Sequence, residues 1–518
     1  MAKRFKKVLA IIMALILTMT VGLNAFAIDL TGGIDQNGEN WTWNEAEKNL
    51  TLNGANVNEG FVLVDGSNVI VSADSIVNGG EDSAFACKGE LNISGSNQLT
   101  LTGSHGISAE SVTITDTTVD IDADSCGIYV YNKEGDANVT LENVEGSISG
   151  DYAGIYVNGE SSGDEASVVI KESDLEVTST ATSGDTRARK SGITVYTSKA
   201  EKVDSSITIE DSNVTATGYD AGLSINNYVG DADATNDACA TINIEGSTVV
   251  ANGTSGTWSG IFASVLGQHP DADAVINVTD SSVYATSTNI GIMTSSQKGE
   301  AKIVLDNSIL GVTGNTALNM KGNDGAKVQV AELKNGSTYV QLTPMAAVEG
   351  EIVVENGKTI IATEQAITYD AENNYYIIPQ GSIVTETFTD GTVKEYTFNG
   401  QAGGIGGFDY GKEEIWGFDV PSDEGDDDII IEDDDYEEEE DENEPTVIVD
   451  EPAPLDDAPS APEEQYDVPE TETIVDEEVP LADVPGLGDE SAIWMLVAAF
   501  AVFGLVVINL PKRNREED

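Results

Sequence analysis

The stretch GITVYTSKAEKVDSSITIEDSNVTATGYDAGL, Gly192 to Leu223, holds one complete repeat and the start of the next. It opens with a glycine and an aliphatic residue, Gly192-Ile193, and alternates apolar and polar residues through Val195. A polar segment of variable character leads to a second alternating run, Ile207 to Ile209. The turn Asp211-Ser212-Asn213 follows, and a third run starts at Val214. Alternation with period two marks a strand that buries one face. Strands this short cannot bury a core alone, so successive units must stack and share one.

The same opening recurs at Gly106-Ile107, Gly127-Ile128, Gly154-Ile155, Gly222-Leu223, Gly260-Ile261 and Gly291-Ile292, with Ala317-Leu318 as a degenerate eighth. Second strands follow, such as Val112 to Ile114, Val139 to Leu141, Ile242 to Ile244 and Ile303 to Leu305. In most units the step from the last apolar residue of strand two to the first of strand three is five: Ile114 to Val119, Ile170 to Leu175, Ile209 to Val214, Ile244 to Val249 and Val278 to Val283. Units of 21 to 38 residues vary mainly between strands one and two. A propeller needs four strands per blade and steadier spacing, and an antiparallel sandwich does not keep a fixed five-residue step. The pattern predicts an all-β body, a right-handed parallel β-helix built as a three-strand solenoid, with Ile128, Val130, Ile155, Val157, Ile193 and Val195 inward. It spans residues 28–342, including an N-terminal cap that carries Trp41 and Trp43. Residues 343–411 read as a β-rich C-terminal cap with a hairpin turn at Asp390-Gly391.

Composition sets the surroundings. Of 518 residues 91 are acidic and 24 basic, a formal charge of -67 that argues against nucleic acid and anionic lipid as ligands. Residues 28–412 hold 54 of those acids against 17 bases. Three cysteines make no disulfide framework, and no Cys/His cluster suggests zinc. The first 27 residues read as a signal peptide: Lys3, Arg4, Lys6 and Lys7, an apolar run from Val8 to Val21, and cleavage after Ala27 in Ala25-Phe26-Ala27. Residues 412–490 read as an acidic, Pro-containing disordered stalk; from Glu413 to Glu490 there are 34 acids and no Lys or Arg. Residues 491–510 read as a single C-terminal transmembrane helix. Residues 511–518, with Lys512, Arg513 and Arg515, read as its cytoplasmic tail. The expected location is the outer cell surface, with the chain anchored by that helix.

Candidate binding residues come from strand one. Its outward positions form two columns: Tyr129, Tyr156, Thr194, Ser224, Phe262 and Met293, then Tyr131, Asn158, Tyr196, Asn226, Ser264 and Ser295. Aromatic rings and amides on a flat face suit a polysaccharide, through sugar stacking and hydroxyl hydrogen bonds. The plainer reading is that aromatics favour strand surfaces. Asp136, Glu165, Asp204, Asp273 and Glu300 each fall three residues before strand two, an acidic column that calcium would suit and that solvation explains as well. Arg187, Arg189 and Lys190 cluster in one insertion, whose ordinary reading is a solvated loop.

Three resemblances add expectations. Pro485-x-x-Gly488, the apolar span and the basic tail resemble Gram-positive cell-wall sorting signals, which implies a sortase as partner. Leu487 stands where that family has the threonine whose carbonyl is attacked. Ser104 to Ser108, SHGIS, resembles the histidine motif of polygalacturonases, with His105 at the motif histidine. The carboxylates that would supply acid and base in such a hydrolase have no counterpart. The body, with its WTWN and LTLNGANV opening, resembles the carbohydrate-binding β-helix proteins on the surface of Firmicutes. That implies a non-catalytic adhesin for a polysaccharide or host glycan, with calcium as the one cofactor in view. A β-helix polysaccharide lyase or hydrolase, and a structural surface protein without specific ligand, are the alternatives.

Overall fold

The computed structural model describes residues 27–410, except 161–164, 185, 199–202, 229–236, 268, 323–326, 344–345, 363–367, 371–374, 378, 380, 389, 398–402 and 406–407. The chain divides into two units, residues 1–427 and 428–518, and all described residues belong to the first. The signal segment before Ala27, the acidic stretch, the 491–510 span, the tail, and Pro485 and Gly488 lie outside the described residues. Among the described residues no helix is long and apolar enough to cross a membrane.

Every regular element described is a β-strand. From Ala153 to Ala362 the strands pair in parallel with the strand three further along the chain, which sorts them into three stacks. The long strands Gln98–Ala109, Ser111–Asn132 and Ala137–Gly150 each serve more than one stack. The first stack carries the Gly-aliphatic openings; Ala153–Gly159, Ile193–Ser198, Leu223–Tyr228, Ser259–Val265 and Ile290–Ser296 are successive members. The second includes Glu165–Lys171, Asp204–Glu210 and Ala240–Glu245, and the third Asp174–Ser179, Asn213–Gly218 and Thr248–Gly253. This long, repeated parallel arrangement is compatible with a β-helix or solenoid. Registers keep like on like: Ile128, Ile155, Ile193, Leu223, Ile261, Ile292 and Leu318 pair in turn. The six residues assigned inward are fully buried and join one core running from Leu30 to Tyr339.

The repeated glycine has a steric cause. A Cβ on Gly127 would lie 2.5 Å from Ile148 Cγ2 and 2.7 Å from the Gly154 carbonyl oxygen. One on Gly291 would lie 2.0 Å from Val312 Cγ1. The third-stack strand presses against this corner, and only a residue without a side chain fits beneath it.

The five-residue step has a cause of its own. Its first turn residue is left-handed: Asp211 at φ 47°, Asp280 at 50°, Asn307 at 47°. Short Asp and Asn side chains tolerate that conformation. The next residue is a buried serine at 173, 212, 247, 281 and 308, and a buried Ser337 stands two residues after the left-handed Asn335. From Ser212 on, each serine Oγ accepts the backbone N–H of the serine one coil earlier, at 3.0 Å from Ser173, Ser212 and Ser247 and 3.1 Å from Ser281 and Ser308, and the Ser173 Oγ accepts the Val144 N–H at 3.0 Å. The hydroxyls of Ser173, Ser212, Ser247 and Ser281 each donate to the carbonyl two residues back, at 2.6 Å. Buried amides that the turn leaves without strand partners are thereby satisfied.

Both ends of the stacks change to antiparallel pairing. Gln36–Gly38, Trp41–Asn44 and Asn49–Asn53 form a meander whose last strand pairs in parallel with Ser67–Ala73. Trp43 is buried beneath it and donates Nε1–H to Glu45 Oε2 at 2.8 Å. At the other end Lys358–Ala362 pairs antiparallel with Ile383–Phe388, and that strand with Val393–Thr397. Gly391 turns between the last two at φ 81°.

Candidate functional site

The two outward columns of the first stack exist in register. Tyr129 pairs with Tyr156, then Thr194, Ser224, Phe262 and Met293; Tyr131 pairs with Asn158, then Tyr196, Asn226, Ser264 and Ser295. They are not an open face. Tyr129, Tyr131 and Asn158 are half-buried, whereas Tyr156, Tyr196, Asn226 and Phe262 are 5%, 2%, 5% and 3% exposed. The cause is the insertion that carries Arg187, Arg189 and Lys190, which lies back over the middle coils as a roof and is not a solvated loop.

Three consecutive carbonyls of the roof are held by column residues. Asn226 Nδ2 donates to the Arg187 carbonyl at 2.8 Å, Ser224 Oγ to Ala188 at 2.8 Å, and Thr194 Oγ1 to Arg189 at 3.0 Å. Ala188 is left-handed at φ 53° and fully buried against Ala221 and Phe262. The Lys190 N–H donates to the buried Asp220 carboxylate at 3.0 Å. Arg187 lies 4.6 Å from the Tyr228 ring centroid and 5.8 Å from that of Tyr196, whose hydroxyl it also hydrogen-bonds. Arg189 lies 5.2 Å from the Tyr196 centroid and 5.9 Å from that of Tyr152. Such cation–ring contacts contribute about 0.5–2 kcal/mol each, most where water is excluded.

The roof divides the face. On the side of the earlier coils His105, Tyr129 and Tyr156 form an aromatic file, with centroids 5.0 and 5.8 Å apart and the tyrosine rings within 3° of parallel. Burial holds the His105 imidazole below its ordinary pKa. Burial raises Tyr129 and, much further, Tyr156, so both are neutral phenols. On the side of the later coils a cleft of about 490 Å³ opens, a volume typical of small-ligand sites. Arg187, Tyr228, Trp258, Phe262, Met293 and Lys321 contribute to its wall, with Asn226, Ser264, Ser295 and Gln297 as polar groups. Among the described residues that line it none is Asp or Glu. Trp258 and Phe262 meet edge to face at 5.2 Å.

The acidic column is likewise in register, with Cys239 between Asp204 and Asp273. Its carboxylates serve the next coil: Asp136 accepts the N–H of Glu165 at 2.9 Å, Asp204 that of Cys239 at 2.9 Å, and Asp273 that of Glu300 at 2.7 Å. Among the described residues no group of three His, Cys, Asp or Glu is gathered as a metal ion would require. His269, in its loop, accepts the Asp271 N–H at 3.1 Å, and Asp271 pairs with Lys327 at 2.5 Å.

No family model, curated protein or solved structure matches this chain. Trp258, Gln297 and Lys321 were missed from sequence because they lie at strand ends and turns where the repeat is weakest. The one signal pointing to the roof was its charge, since the segment Arg187 to Lys190 gathers three of the 17 bases in residues 28–412.

Proposed function

We propose that this chain is a non-catalytic glycan-binding protein, an adhesin tethered to the surface of a Gram-positive bacterium. Its body is a right-handed, three-sided parallel β-helix, carried on the acidic stalk and anchored by the C-terminal apolar span. A sortase is a further partner where the Pro485–Gly488 segment is cut. The observation that carries the reading is the cleft beside the roof. It combines aromatic and thioether surface with serine hydroxyls, amides and cations, the mixture that sugar rings and their hydroxyls require. A lyase or hydrolase reading draws no support from the described residues of the lining, none of which is a carboxylate to act as acid, base or nucleophile. Calcium remains a proposal, on the acidic column alone.

The test is a glycan array probed with the full chain, with calcium and with chelator, followed by product analysis on every hit. Binding without product, weakened by Trp258→Ala, is the expected result. Released oligosaccharide would replace the adhesin with an enzyme, and an array without hits would leave a structural surface protein.

A further inference from the structure

The roof gives the cleft a stop at one end. Thr194, Tyr196 and Ser224 are buried, because the segment from Arg187 to Arg189 lies across them. A ligand lying along the first stack therefore cannot continue past that edge, where Thr186 and Arg187 form the wall of the cleft. Away from the edge the lining follows the stack. Asn226, Ser264, Ser295 and Lys321 succeed one another in register, with Phe262 and Met293 beside them. Three steps of about 4.8 Å make this run about 14 Å long, room for about two or three sugar rings in file.

Hydrogen bonding at the roof edge points the same way. Asn226 donates from Nδ2 to the Arg187 carbonyl, and its Oδ1 is buried without a hydrogen-bond partner. A buried acceptor left without a donor is costly, and a ligand hydroxyl that reached it would relieve the cost. An internal sugar residue continues through a glycosidic oxygen, which carries no proton. The last residue of a chain ends there in a hydroxyl, which donates.

We propose that the cleft binds the end of a glycan chain, with the terminal residue set against the roof at Asn226. On a glycan attached through its reducing end, this is the non-reducing end. The inference deepens the glycan-binding reading and rests on it. A segment from the middle of a chain would have to leave the cleft in both directions, and in one of them it meets the roof.

The experiment applies the full chain, in a detergent free of sugar headgroups, to an array of glycans coupled through their reducing ends. The array carries matched sets that differ by one residue, added either at the free end or beside the linker. Hits are expected to share their outermost residues. One more residue at the free end should lower the signal about tenfold or more, because the added ring has no room past the roof, whereas one more beside the linker should leave it unchanged. Ser295→Tyr fills the cleft with a side chain that the same column already carries at Tyr131 and Tyr196, and should lower every hit about tenfold or more at an unchanged melting temperature. Trp258→Ala, at the cleft wall, is the second variant. Equal signal after elongation at the free end would overturn the inference and leave the glycan reading standing. So would hits that neither variant weakens, since the glycan would then sit elsewhere on the chain. An array without hits would sink both.

Discussion

Replacing Ser247 by alanine removes one rung of the serine ladder. The Oγ of Ser247 accepts the Ser212 N–H at 3.0 Å and donates to the Glu245 carbonyl at 2.6 Å. Ser212 and Ser247 are 3% and 4% exposed, so water does not replace the lost acceptor. A buried amide left unpaired costs about 1–3 kcal/mol, and the alanine methyl brings no compensating burial. Stability in stacked repeats is approximately a sum over repeats, so a local amide reports one lost bond more directly than a global melting curve does. Hydrogen exchange of the native protein, read at the Ser212 amide, isolates it. Exchange there is expected to quicken roughly tenfold to a hundredfold, while amides several coils away stay unchanged. Ser247→Thr is the control, because Thr117 already makes the same bond to its own turn, to the Thr115 carbonyl at 2.8 Å. The reasoning fails if Ser247→Ala leaves the Ser212 amide as protected as in the native chain.

Gly127→Ala forces a Cβ to within 2.5 Å of Ile148 Cγ2 and 2.7 Å of a backbone oxygen, and should destabilise its coils by about 1–3 kcal/mol or more, read as a lowered denaturant midpoint. Asp220→Ala strips the Lys190 N–H of its buried acceptor; exchange across residues 186–191 should accelerate, and unchanged protection there would deny the carboxylate its part in holding the roof. Burial pushes the Cys87 and Cys126 thiols up to about 12, so at pH 8 only about one in ten thousand is thiolate, and both should resist alkylation until the chain unfolds. The depressed His105 pKa means the unfolded chain binds the proton first. Its contribution is complete above pH 6.5 and is lost as pH falls through the lower, folded value. His105→Gln should therefore flatten the fall of melting temperature with acidification in that window.

The columns were legible because period two and a conserved spacing leave no choice of side for an aliphatic residue: Ile128, Ile155 and Ile193 had to share the interior. The five-residue step was legible as a turn, though not as a ladder, since a serine in a polar turn looks like a surface residue. Ser247 is buried because its amide neighbours need an acceptor there, a demand visible only once coils are stacked. The roof was hidden for a similar reason. Thr194, Ser224 and Asn226 have the polarity of a sugar-binding face, yet they hold the carbonyls of Arg187, Ala188 and Arg189. Sequence shows that a group can hydrogen-bond, whereas which partner reaches it depends on how an insertion folds back. The acidic column followed the same rule: its spacing was read correctly, and three of its carboxylates take backbone amides of the next coil.

Parallel registers carried from coil to coil have a consequence for how such a molecule changes length. Asn213 pairs with Thr248, which pairs with Ser282; Val214, Val249 and Val283 follow in step. If the segment Thr248–Ser281 were excised, Ser247 would be followed by Ser282, and Asn213 would find a strand of matching phase. The Ser247 amide would then meet the Ser308 hydroxyl in place of that of Ser281. Height along the axis therefore comes in whole increments of about 4.8 Å. Deleting or duplicating one coil's worth of gene can shorten or lengthen the body without redrawing it, and a residue added between strands two and three stays local: Leu333 to Ser337 is one longer than Leu305 to Ser308, yet the Ser337 hydroxyl still takes the Ser308 amide.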